Sequence, residues 1–526
     1  MGEHATFMNA MTQRNKRLYS APKKRDRAVP ALFLEFAQAW QGQVLSSNDL
    51  PACIRDDLAA YLPGIEKAGF RLLSSDSHPG LLQQGQFIFW PADEQVPANR
   101  TPPGASPYSH FASGRPIGID LFAGAGGLSM GFEQAGFDIA ACVEIDPIHC
   151  ATHEYNFPYA ASICGNVIDL TGESIRRRSG IGNRDIEVVF GGAPCQGFSM
   201  IGKRALDDPR NRLVSHYVRL VKELNPKYCV FENVKGLTVG KHVQFLNELI
   251  AALEDAGYHV VMPYRVLNAT EYGVPQNRFR LFLLAYREGQ KPPVYPQPCK
   301  NKVTVEEAIG DLPDADLFEA LLHTDATQAV WKTTAAYAKK LRGQTKDPSD
   351  FSYPRVGEQN CLTCSLRTVH TKESMTRFIA AESGTTEPIS RFFKLPLGGQ
   401  CNTIRAGTDS ARGAFTSPRP IHPTLPRVIT VREAARLHSY PDWFRFHSTK
   451  WHGFRQIGNS VPPLLGRAVA SEIIKSLGIE PFRPQTAITL GDTALLTLNM
   501  RQAADHFGVP ASVIGQRTRK KESILI

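Results

Sequence analysis

The sequence predicts an α/β fold in which helices cover both faces of a mostly parallel β-sheet. From Arg115 onward, short apolar segments typical of buried strands alternate with segments of helical periodicity. A glycine-rich turn directly follows the first of these strands, and two later strands lead to chemically reactive residues, Cys195 and Glu232. Ligands of open α/β sheets bind at the carboxyl ends of the strands, so we expect the functional site there.

Length and composition limit the class of protein. A chain of 526 residues is too long for one hydrophobic core, so we expect two to four domains. The net charge of +10 is compatible with a polyanionic partner. No apolar segment approaches about 18 residues, and the N-terminal segment lacks the apolar core of a signal peptide. We therefore expect a cytoplasmic, nucleoid-associated protein without membrane contact.

The cysteines give no strong metal signature. Ten cysteines in a long intracellular chain are better interpreted as reduced thiols than as a disulfide framework. Cys361 and Cys364 form one C-x-x-C pair with no second pair nearby, which favours two ordinary thiols over a zinc site. We expect no bound metal.

Composition shifts divide the chain into five parts. Residues 1–114 combine a basic arm, an accessory domain of helical periodicity with a strand-like segment at Gln86–Trp90, and a linker rich in Pro, Ser and Gly. The other parts are a first main segment at 115–287, a loop-rich and partly β domain at 288–426, a closing segment at 427–480 and a C-terminal extension at 481–526.

The extension contains a further pattern between Met500 and Lys521. Ala504, Gly508 and Ile514 have the spacing of a helix-turn-helix, and a basic run follows. The alternative is an ordinary terminal helix pair with a basic tail.

The main segment begins with a strand at Ile117, a turn at Gly124, Gly126 and Gly127, and a helix to about Ala135. Glycines allow a ligand to approach the backbone closely, and the helix N-terminus supplies unpaired donors. Glu144 ends the second strand about twenty residues later, where an acidic side chain binds the ribose of an adenine-containing cofactor. A nicotinamide dehydrogenase would show the same pattern.

The alternation continues through the rest of this segment. A segment at Gly165–Leu170 continues it, and Val188–Phe190 forms a strand broken by Gly191, Gly192 and Pro194. The remaining elements are helices at Leu213–Leu224 and His242–Ala256, and strands at Tyr228–Val234, Tyr264–Leu267 and within Tyr272–Tyr286. In the closing segment, Arg427–Phe446 predicts a strand or turn and an amphipathic helix.

Cys195 and Glu232 are the candidates for chemistry. Each follows or ends a strand of the sheet, so their side chains are expected to share one crevice. A thiol in a tight loop near backbone donors suits a nucleophile, because its thiolate form is favoured there. The region 288–426 adds scattered arginines, including Arg405, and interleaved aromatic residues, a pattern that fits a nucleic-acid surface and a merely solvated basic face equally well.

Six motifs in this order resemble the cytosine carbon-5 DNA methyltransferases, from about Arg115 to Leu477. They are DLFAGAGG (120–127), PCQGFS (194–199), ENV (232–234), QNRFR (276–280), the block RPIHP (419–423) with RVITVREAARLHSYPDWF (427–444), and GNSVPP (458–463). The resemblance implies a Rossmann-like S-adenosylmethionine-dependent methyltransferase fold. Segments 115–287 and 427–480 would form its catalytic domain and 288–426 a smaller, loop-rich target-recognition domain.

The resemblance also implies a role for each motif. The thiolate of Cys195 would attack a cytosine flipped out of the duplex, and Glu232, Arg278 and Arg280 would stabilise the charge that develops on the ring. The donor, S-adenosylmethionine, would contact Phe122, Ala123, Gly124, Gly126, Glu144, Asn166, Pro194, Asn459 and Ser460. The substrate would contact Gln196, Ser199, Gln276 and Arg405.

The chain departs from the family pattern at Asn166, where an acidic residue is usual. Its amide oxygen can still accept a hydrogen bond from the adenine amino group, so we expect donor binding to survive but to be weaker.

The implied partners are double-stranded DNA and a cognate restriction endonuclease, with the protein acting as a monomer on DNA. Related enzymes methylate cytosine in transfer RNA, but the long segment at 288–426 favours duplex DNA, because those relatives have a reduced one. A non-catalytic DNA-binding regulator with this fold is a further alternative, and the complete set of reactive residues argues against it. A nicotinamide dehydrogenase leaves PCQ and ENV unexplained.

Overall fold

The structure, a computed structural model, describes nine parts of the chain. They are residues 45–46, 70–74, 86–91, 114–194, 212–240, 242–299, 301–356, 360–407 and 419–513, the first three as backbone strands. Cys195, Gln196 and Ser199 lie outside the described residues, as do the basic arm, Ile514 and the basic run that follows it. The chain divides into two compact units, residues 1–102 and 103–526.

The first unit contains a small antiparallel sheet. Its strands are β1 (Leu45–Ser46), β2 (Phe70–Ser74) and β3 (Gln86–Pro91), in the order β1-β3-β2. The strand predicted at Gln86–Trp90 is therefore confirmed.

The second unit is built on an eight-stranded sheet of order β10-β11-β8-β7-β4-β5-β6, with β9 paired to β11. The strands are β4 (Ile117–Leu121), β5 (Asp138–Glu144), β6 (Ala161–Cys164), β7 (Val188–Gly191), β8 (Tyr228–Val234), β9 (Tyr258–Val260), β10 (Arg265–Asn268) and β11 (Phe279–Arg287). Strands β4 to β8 pair in parallel, and β9 to β11 join antiparallel. This confirms the α/β class with a mostly parallel sheet.

The topology places a ligand site between β4 and β7. From β4 the chain proceeds outward through β5 and β6, then returns to β7 on the other side of β4. Such a reversal opens a crevice at the carboxyl ends of the parallel strands. We call this the carboxyl edge of the sheet.

Helices cover both faces of the sheet, as expected for parallel strands that are buried on both sides. The described helices of the second unit are α1 (Gly127–Ala135), α2 (Pro147–Asn156), α3 (Gly172–Ser179), α4 (Arg212–Leu224), α5 (His242–Asp255), α6 (Val305–Ile309), α7 (Ala336–Leu341), α8 (Lys372–Ala380), α9 (Val431–Leu437), α10 (Lys450–Asn459), α11 (Pro463–Leu477) and α12 (Met500–Phe507). The predicted helices at 213–224 and 242–256 correspond to α4 and α5. Helix α11 has proline at its first position, where the missing N–H leaves no bond unmade.

Two local predictions need correction. The segment at Gly165–Leu170 forms a turn, and the strand is β6, which ends at Cys164 just before it. The turn forms because the side-chain oxygen of Asn166 accepts a hydrogen bond from the backbone N–H of Ile168. The helix expected to be amphipathic between Arg427 and Phe446 is α9, and every one of its residues is buried.

Residues 288–426 contribute to the core of the second unit. Short helices α6 and α7 place Val305, Ile309 and Leu341 in the same apolar cluster as residues of β7 and β8. The strands here are only two residues each: β12 (Thr327–Gln328), β13 (Arg355–Val356) and β14 (Cys361–Leu362), with β15 (Ile488–Thr489) pairing β13.

The C-terminal extension packs against α2. Leu495, Leu496 and Phe507 share a buried cluster with Cys150 and Tyr155 of α2. Among the described residues, no helix is both long and apolar enough to cross a membrane.

Candidate active site

The carboxyl edge gathers the predicted site residues that the structure describes. Glu144 ends β5, and Glu232 lies near the end of β8. The last described residue before Cys195 is Pro194, three residues after β7 ends. One edge therefore receives contributions from β5, β7 and β8, three of four adjacent parallel strands.

The glycine turn between β4 and α1 has the unusual backbone that its sequence suggests. Gly124 and Gly126 have φ of 57° and 99°, and Phe122, also in the turn, has φ of 66°. At Gly126 a side chain would be strained by this φ and would also collide with the ring of Phe157. Gly126 precedes α1 without a side-chain cap, so the first turn of the helix presents backbone donors to the crevice.

Glu144 is fixed by backbone hydrogen bonds. Its Oε2 accepts from the N–H of Gly124 at 2.8 Å, and its Oε1 accepts from the N–H groups of Ile145 and Asp146 at 2.9 Å each. The carboxylate thus joins the end of β5 to the glycine turn. Its position suits a hydroxyl-bearing ligand that lies along that turn.

Asp120 is a third carboxyl at this edge, and the sequence did not single it out. It is fully buried at the end of β4, and its Oδ2 accepts a hydrogen bond from Ser129 Oγ at 2.7 Å. Burial raises its pKa to about 8, the hydrogen bonds from Ser129 oppose this, and the charges of Glu144 and Glu232 add to the rise. Its place within DLFAGAGG was the available signal.

Glu232 and Arg280 form the polar centre of the crevice. The Oε1 of Glu232 lies 2.8 Å from the Nε of Arg280, and both side chains are nearly buried. Burial raises the pKa of Glu232, and the positive charges of Arg280 and Arg278 oppose that rise. A carboxyl in this setting can retain a proton and donate it to a substrate atom.

The loop after β7 lies directly against Glu232. A Cβ added at Gly192 would collide with Oε2 of Glu232, so only glycine lets the loop approach this closely. The side-chain amide of Asn233 also donates to the carbonyl of Ala193 at 2.9 Å. The backbone that leads to Cys195 is therefore held beside the carboxyl of Glu232.

Arg278 does not reach the crevice, contrary to the contact with substrate expected from the sequence. It is fully buried, and its guanidinium donates to the carbonyls of Ile404, Gly458 and Ser460 at 2.7–2.9 Å. Burial lowers its pKa well below the ordinary arginine value, and Arg280 adds to that effect. The reason is its partners: Arg278 lies just before β11, and its guanidinium is held by the loop at Ile404 and by the closing segment.

Gln276 is likewise a fully buried residue, although a substrate contact was expected. Its amide nitrogen donates to the carbonyl of Leu437 at 3.2 Å, and its oxygen accepts from the N–H of Ile404 at 3.1 Å. The amide nitrogen also lies 2.9 Å from Nδ1 of His438. Both polar ends of the side chain are thus engaged within the protein.

The closing segment reaches the glycine turn. At Gly127, the carbonyl of Val461 and the Cβ of Ser460 lie close to the position of an added Cβ. Ser460 Oγ donates to the carbonyl of Ile457, and Asn459 ends α10. The structure therefore brings Asn459 and Ser460 close to the start of α1.

Two other predicted residues lie around this centre. Arg405 is exposed in the loop that follows Cys401. Asn166 is half-buried, and its amide oxygen already accepts from Ile168, which leaves one lone pair for another donor. Within the described ranges, no group of three or more His, Cys, Asp or Glu side chains could hold a metal ion.

Comparison with known proteins gives a family for the chain. The model of the family described as C-5 cytosine-specific DNA methylase matches residues 118–475. Type II methyltransferase M.XorII of Xanthomonas oryzae pv. oryzae is 62% identical over 405 residues, which cover 77% of this chain and 95% of that protein. Type II methyltransferase M1.HphI of Haemophilus parahaemolyticus is 34% identical, with 68% of this chain and 86% of that protein covered.

A solved structure agrees with this relationship. A crystal structure described as a putative DNA modification methyltransferase encoded within an E. coli prophage superimposes with a TM-score of 0.58. It is 33% identical and covers 69% of this chain and 99% of that one. The crevice geometry and these similarities agree: the chain belongs to the C-5 cytosine-specific DNA methylase family and is a DNA cytosine-5 methyltransferase.

Proposed function

We propose that the protein transfers a methyl group from S-adenosylmethionine to carbon 5 of a cytosine flipped out of duplex DNA, with Cys195 as nucleophile. The observation that carries this proposal is the buried Glu232–Arg280 pair, which abuts Gly192 in the loop that leads to Cys195. Carbon 5 of cytosine is a poor nucleophile, so the ring must be activated by covalent addition.

Cys195 provides that activation in our proposal. Its thiolate adds to carbon 6, and the electron pair of the carbon 5–carbon 6 double bond moves to carbon 5, which can then accept the methyl group. Loss of the carbon 5 proton to a base restores the double bond and expels the Cys195 thiolate. A stacked base exposes neither face, so the cytosine must leave the helix.

Glu232 and Arg280 stabilise the activated ring. Addition of the thiolate places negative charge near nitrogen 3 and oxygen 2 of the cytosine. A protonated Glu232 donates to nitrogen 3, and burial favours this neutral form. Arg280 fixes the orientation of the carboxyl and supplies positive charge beside the ring. We assign Arg278 to positioning, because its two terminal guanidinium nitrogens donate to backbone carbonyls.

The residues at the glycine turn fit a donor of this chemistry. The uncapped start of α1 suits a carboxylate, and Glu144 suits ribose hydroxyls. Asp120 adds a buried Oδ1 that no described residue hydrogen-bonds, next to two further carboxyls. S-adenosylmethionine supplies an electrophilic methyl group on a positively charged sulfonium, which a carboxylate at this edge would attract.

The other predicted residues complete the proposal. Phe122, Ala123, Pro194, Asn459 and Ser460 would enclose the donor, with Asn166 accepting from its adenine amino group. Gln196, Ser199 and Arg405 would contact the DNA. Gln276 would hold the loop that carries Arg405 through its hydrogen bond with Ile404.

The biological setting we propose is a restriction-modification system. The relatives M.XorII and M1.HphI are both called Type II methyltransferases, and such enzymes protect host DNA from a nuclease of the same specificity. The protein would then act as a monomer on duplex DNA, with a cognate endonuclease as its counterpart.

Labelled methyl transfer in Cys195 and Glu232 variants tests the mechanism. With tritiated S-adenosylmethionine and duplex DNA, we expect Cys195→Ser to lose essentially all transfer, and Glu232→Gln to lose at least about 100-fold, as removal of an acid catalyst does. Thermal unfolding of each variant controls for folding. Activity retained in a folded Cys195→Ser variant would overturn the thiolate mechanism, and product in RNA but not DNA would overturn the substrate.

A further inference from the structure

An exposed aromatic ring lies beside the catalytic pair and has no role in the mechanism above. Phe279 begins β11 and directly precedes Arg280, yet its side chain is 42% exposed. Lys235 Nζ lies 5.0 Å from the centre of this ring, over its face. Burial of an aromatic side chain is favourable, so an exposed ring next to an active site indicates a surface that binds a ligand or substrate.

The sheet register explains why this ring lies at the carboxyl edge. Strand β11 runs antiparallel to β8, and Arg280 pairs with Val234. The first residues of β11 therefore lie at the same carboxyl edge as the last residues of β8. Val234, which is 52% exposed, and Lys235 follow Glu232 by two and three residues. Because side chains alternate along a strand, Phe279 projects from the face of β11 opposite to Arg280, and Lys235 lies over its ring. Phe279 and Lys235 thus lie at the carboxyl edge, on the other face of the sheet from the Glu232–Arg280 pair.

The exposed surface continues from Phe279 toward the loop that carries Arg405. We define the rim strip as Lys235, Phe279, Asn277, Thr403 and Arg405. Asn277 precedes Phe279 by two residues, and its carbonyl accepts a hydrogen bond from Thr403 Oγ1 at 2.6 Å. Its N–H donates to the carbonyl of Cys401 at 2.8 Å. Backbone contacts therefore join the catalytic strand to the loop that carries Arg405.

The chemistry of the rim strip fits one strand of DNA. It contains two cations, two neutral polar residues and an aromatic ring, with no carboxylate. Cations bind backbone phosphates, and an aromatic face packs on sugars or bases without preference for sequence. The strip lies at the same carboxyl edge as the crevice that must receive the flipped cytosine.

We propose that Lys235 and Phe279 form a contact for the DNA strand that carries the target cytosine. Lys235 binds a phosphate next to the target nucleotide, and the ring of Phe279 packs against the neighbouring nucleotide, which holds the strand while the cytosine is out of the stack. This contact rests on the proposed function, because it requires that the target enters the crevice containing Glu232.

Steady-state kinetics of Phe279 variants test the contact. Loss of stacking on one base reduces binding by about 5- to 150-fold, so we expect Phe279→Ala to raise KM for DNA by about 10-fold, with a smaller change in kcat and none in KM for the donor. Phe279→Tyr, which keeps the ring, is expected to restore KM. The control is Phe482→Ala: Phe482 is 46% exposed but follows Pro481, which contacts Gly136 at the opposite end of α1.

Salt dependence separates the role of Lys235. A lost phosphate contact reduces the slope of log KM against log salt concentration by about 1, so we expect that change in Lys235→Gln and an unchanged slope in Phe279→Ala. Wild-type KM and slope in both variants, with active wild-type enzyme, would overturn the contact and leave the proposed function intact. An inactive wild-type enzyme would instead refute the proposed function.

Discussion

At the scale of single residues, Asp120 illustrates how burial changes a carboxyl. Its ordinary pKa of 3.8 rises to about 8 because the side chain is fully buried, so near neutral pH the folded protein holds a proton that the unfolded chain releases. A neutral carboxyl here avoids a further negative charge near Glu144. The donor, which is a cation, would favour the charged form and lower this pKa on binding.

This shift predicts a pH dependence of stability. Between about pH 4 and pH 8 the folded state binds more protons at Asp120 than the unfolded state does, so the free energy of unfolding falls as pH rises through this range. The limit is about 1.4 kcal/mol per pH unit. Asp120→Asn cannot titrate, and we expect its stability relative to wild type to improve from pH 5 to pH 8.

Urea unfolding of both proteins at several pH values measures this difference. Asp255→Asn, at an exposed aspartate that ends α5, serves as the matched control. A constant stability difference between Asp120→Asn and wild type from pH 5 to pH 8 would show that Asp120 titrates normally.

The sequence predicted which residue types meet at the crevice but not which arginine faces it. Arg278 directly precedes β11 and Arg280 is the second residue of that strand, so a spacing of two by itself predicts the same face for both. Their roles diverge only through long-range partners: Glu232 on β8 for Arg280, and the carbonyls of Gly458 and Ser460 for Arg278. Such partners are separated by up to 182 residues and are not visible in local spacing.

At the scale of elements, Arg278 connects three segments behind the crevice. Its three hydrogen bonds end on the loop at Ile404 and on the turn at Gly458–Ser460 between α10 and α11. No other described side chain donates to the carbonyl of Gly458. Removal of the guanidinium would leave buried carbonyls unsatisfied, and each costs about 1–3 kcal/mol.

We therefore expect Arg278→Met to lower the free energy of unfolding by about 2–4 kcal/mol, and Arg278→Lys to recover only part of it, because an ammonium cannot span three carbonyls. The control is Arg265→Met, an exposed arginine on β10, for which a change below about 0.5 kcal/mol is expected. Denaturant unfolding measures both. An Arg278→Met variant as stable as Arg265→Met but inactive would return Arg278 to the catalytic role that the family resemblance implied.

Most elements of the sheet could be predicted because parallel strands are continuous apolar runs and the turns between them carry glycine. The predicted strand at Tyr228–Val234 is β8 without change of bounds. Helix α9 could not be predicted in the same way. Its polar residues suggested a solvated face, but Arg432 and Arg436 are buried with partners distant in sequence, such as Thr363 and Asp311.

At the scale of the whole molecule, residues 288–426 and the eight-stranded sheet share one core. Arg355 forms a fully buried ion pair of 2.7 Å with Glu133 of α1, and Glu133 also accepts from the hydroxyl of Tyr159. The sequence suggested a separate domain at 288–426 because loops rich in Pro and Gly dominate its composition. Composition reports local flexibility, whereas this core depends on long-range pairs that composition does not reveal.

The C-terminal extension shows the same principle. Its pattern suggested a helix-turn-helix, but α12 packs Ala503, Ala504 and Phe507 into the protein, and Leu496 is 1% exposed beside α2. Helix α2 begins at Pro147, directly after the loop that Glu144 fixes. The extension therefore supports the helix that follows the donor site.

We expect Leu496→Ala to lower the free energy of unfolding by about 2–5 kcal/mol, as a cavity in a packed core does, and to weaken donor binding through α2. The control, Leu317→Ala, removes the same atoms from a side chain that is 80% exposed and should be nearly neutral. Thermal unfolding and donor titration measure the two effects. If the extension were instead an independent DNA-binding unit, Leu496→Ala would weaken DNA binding while the melting temperature of the catalytic core and the donor affinity stayed at their wild-type values.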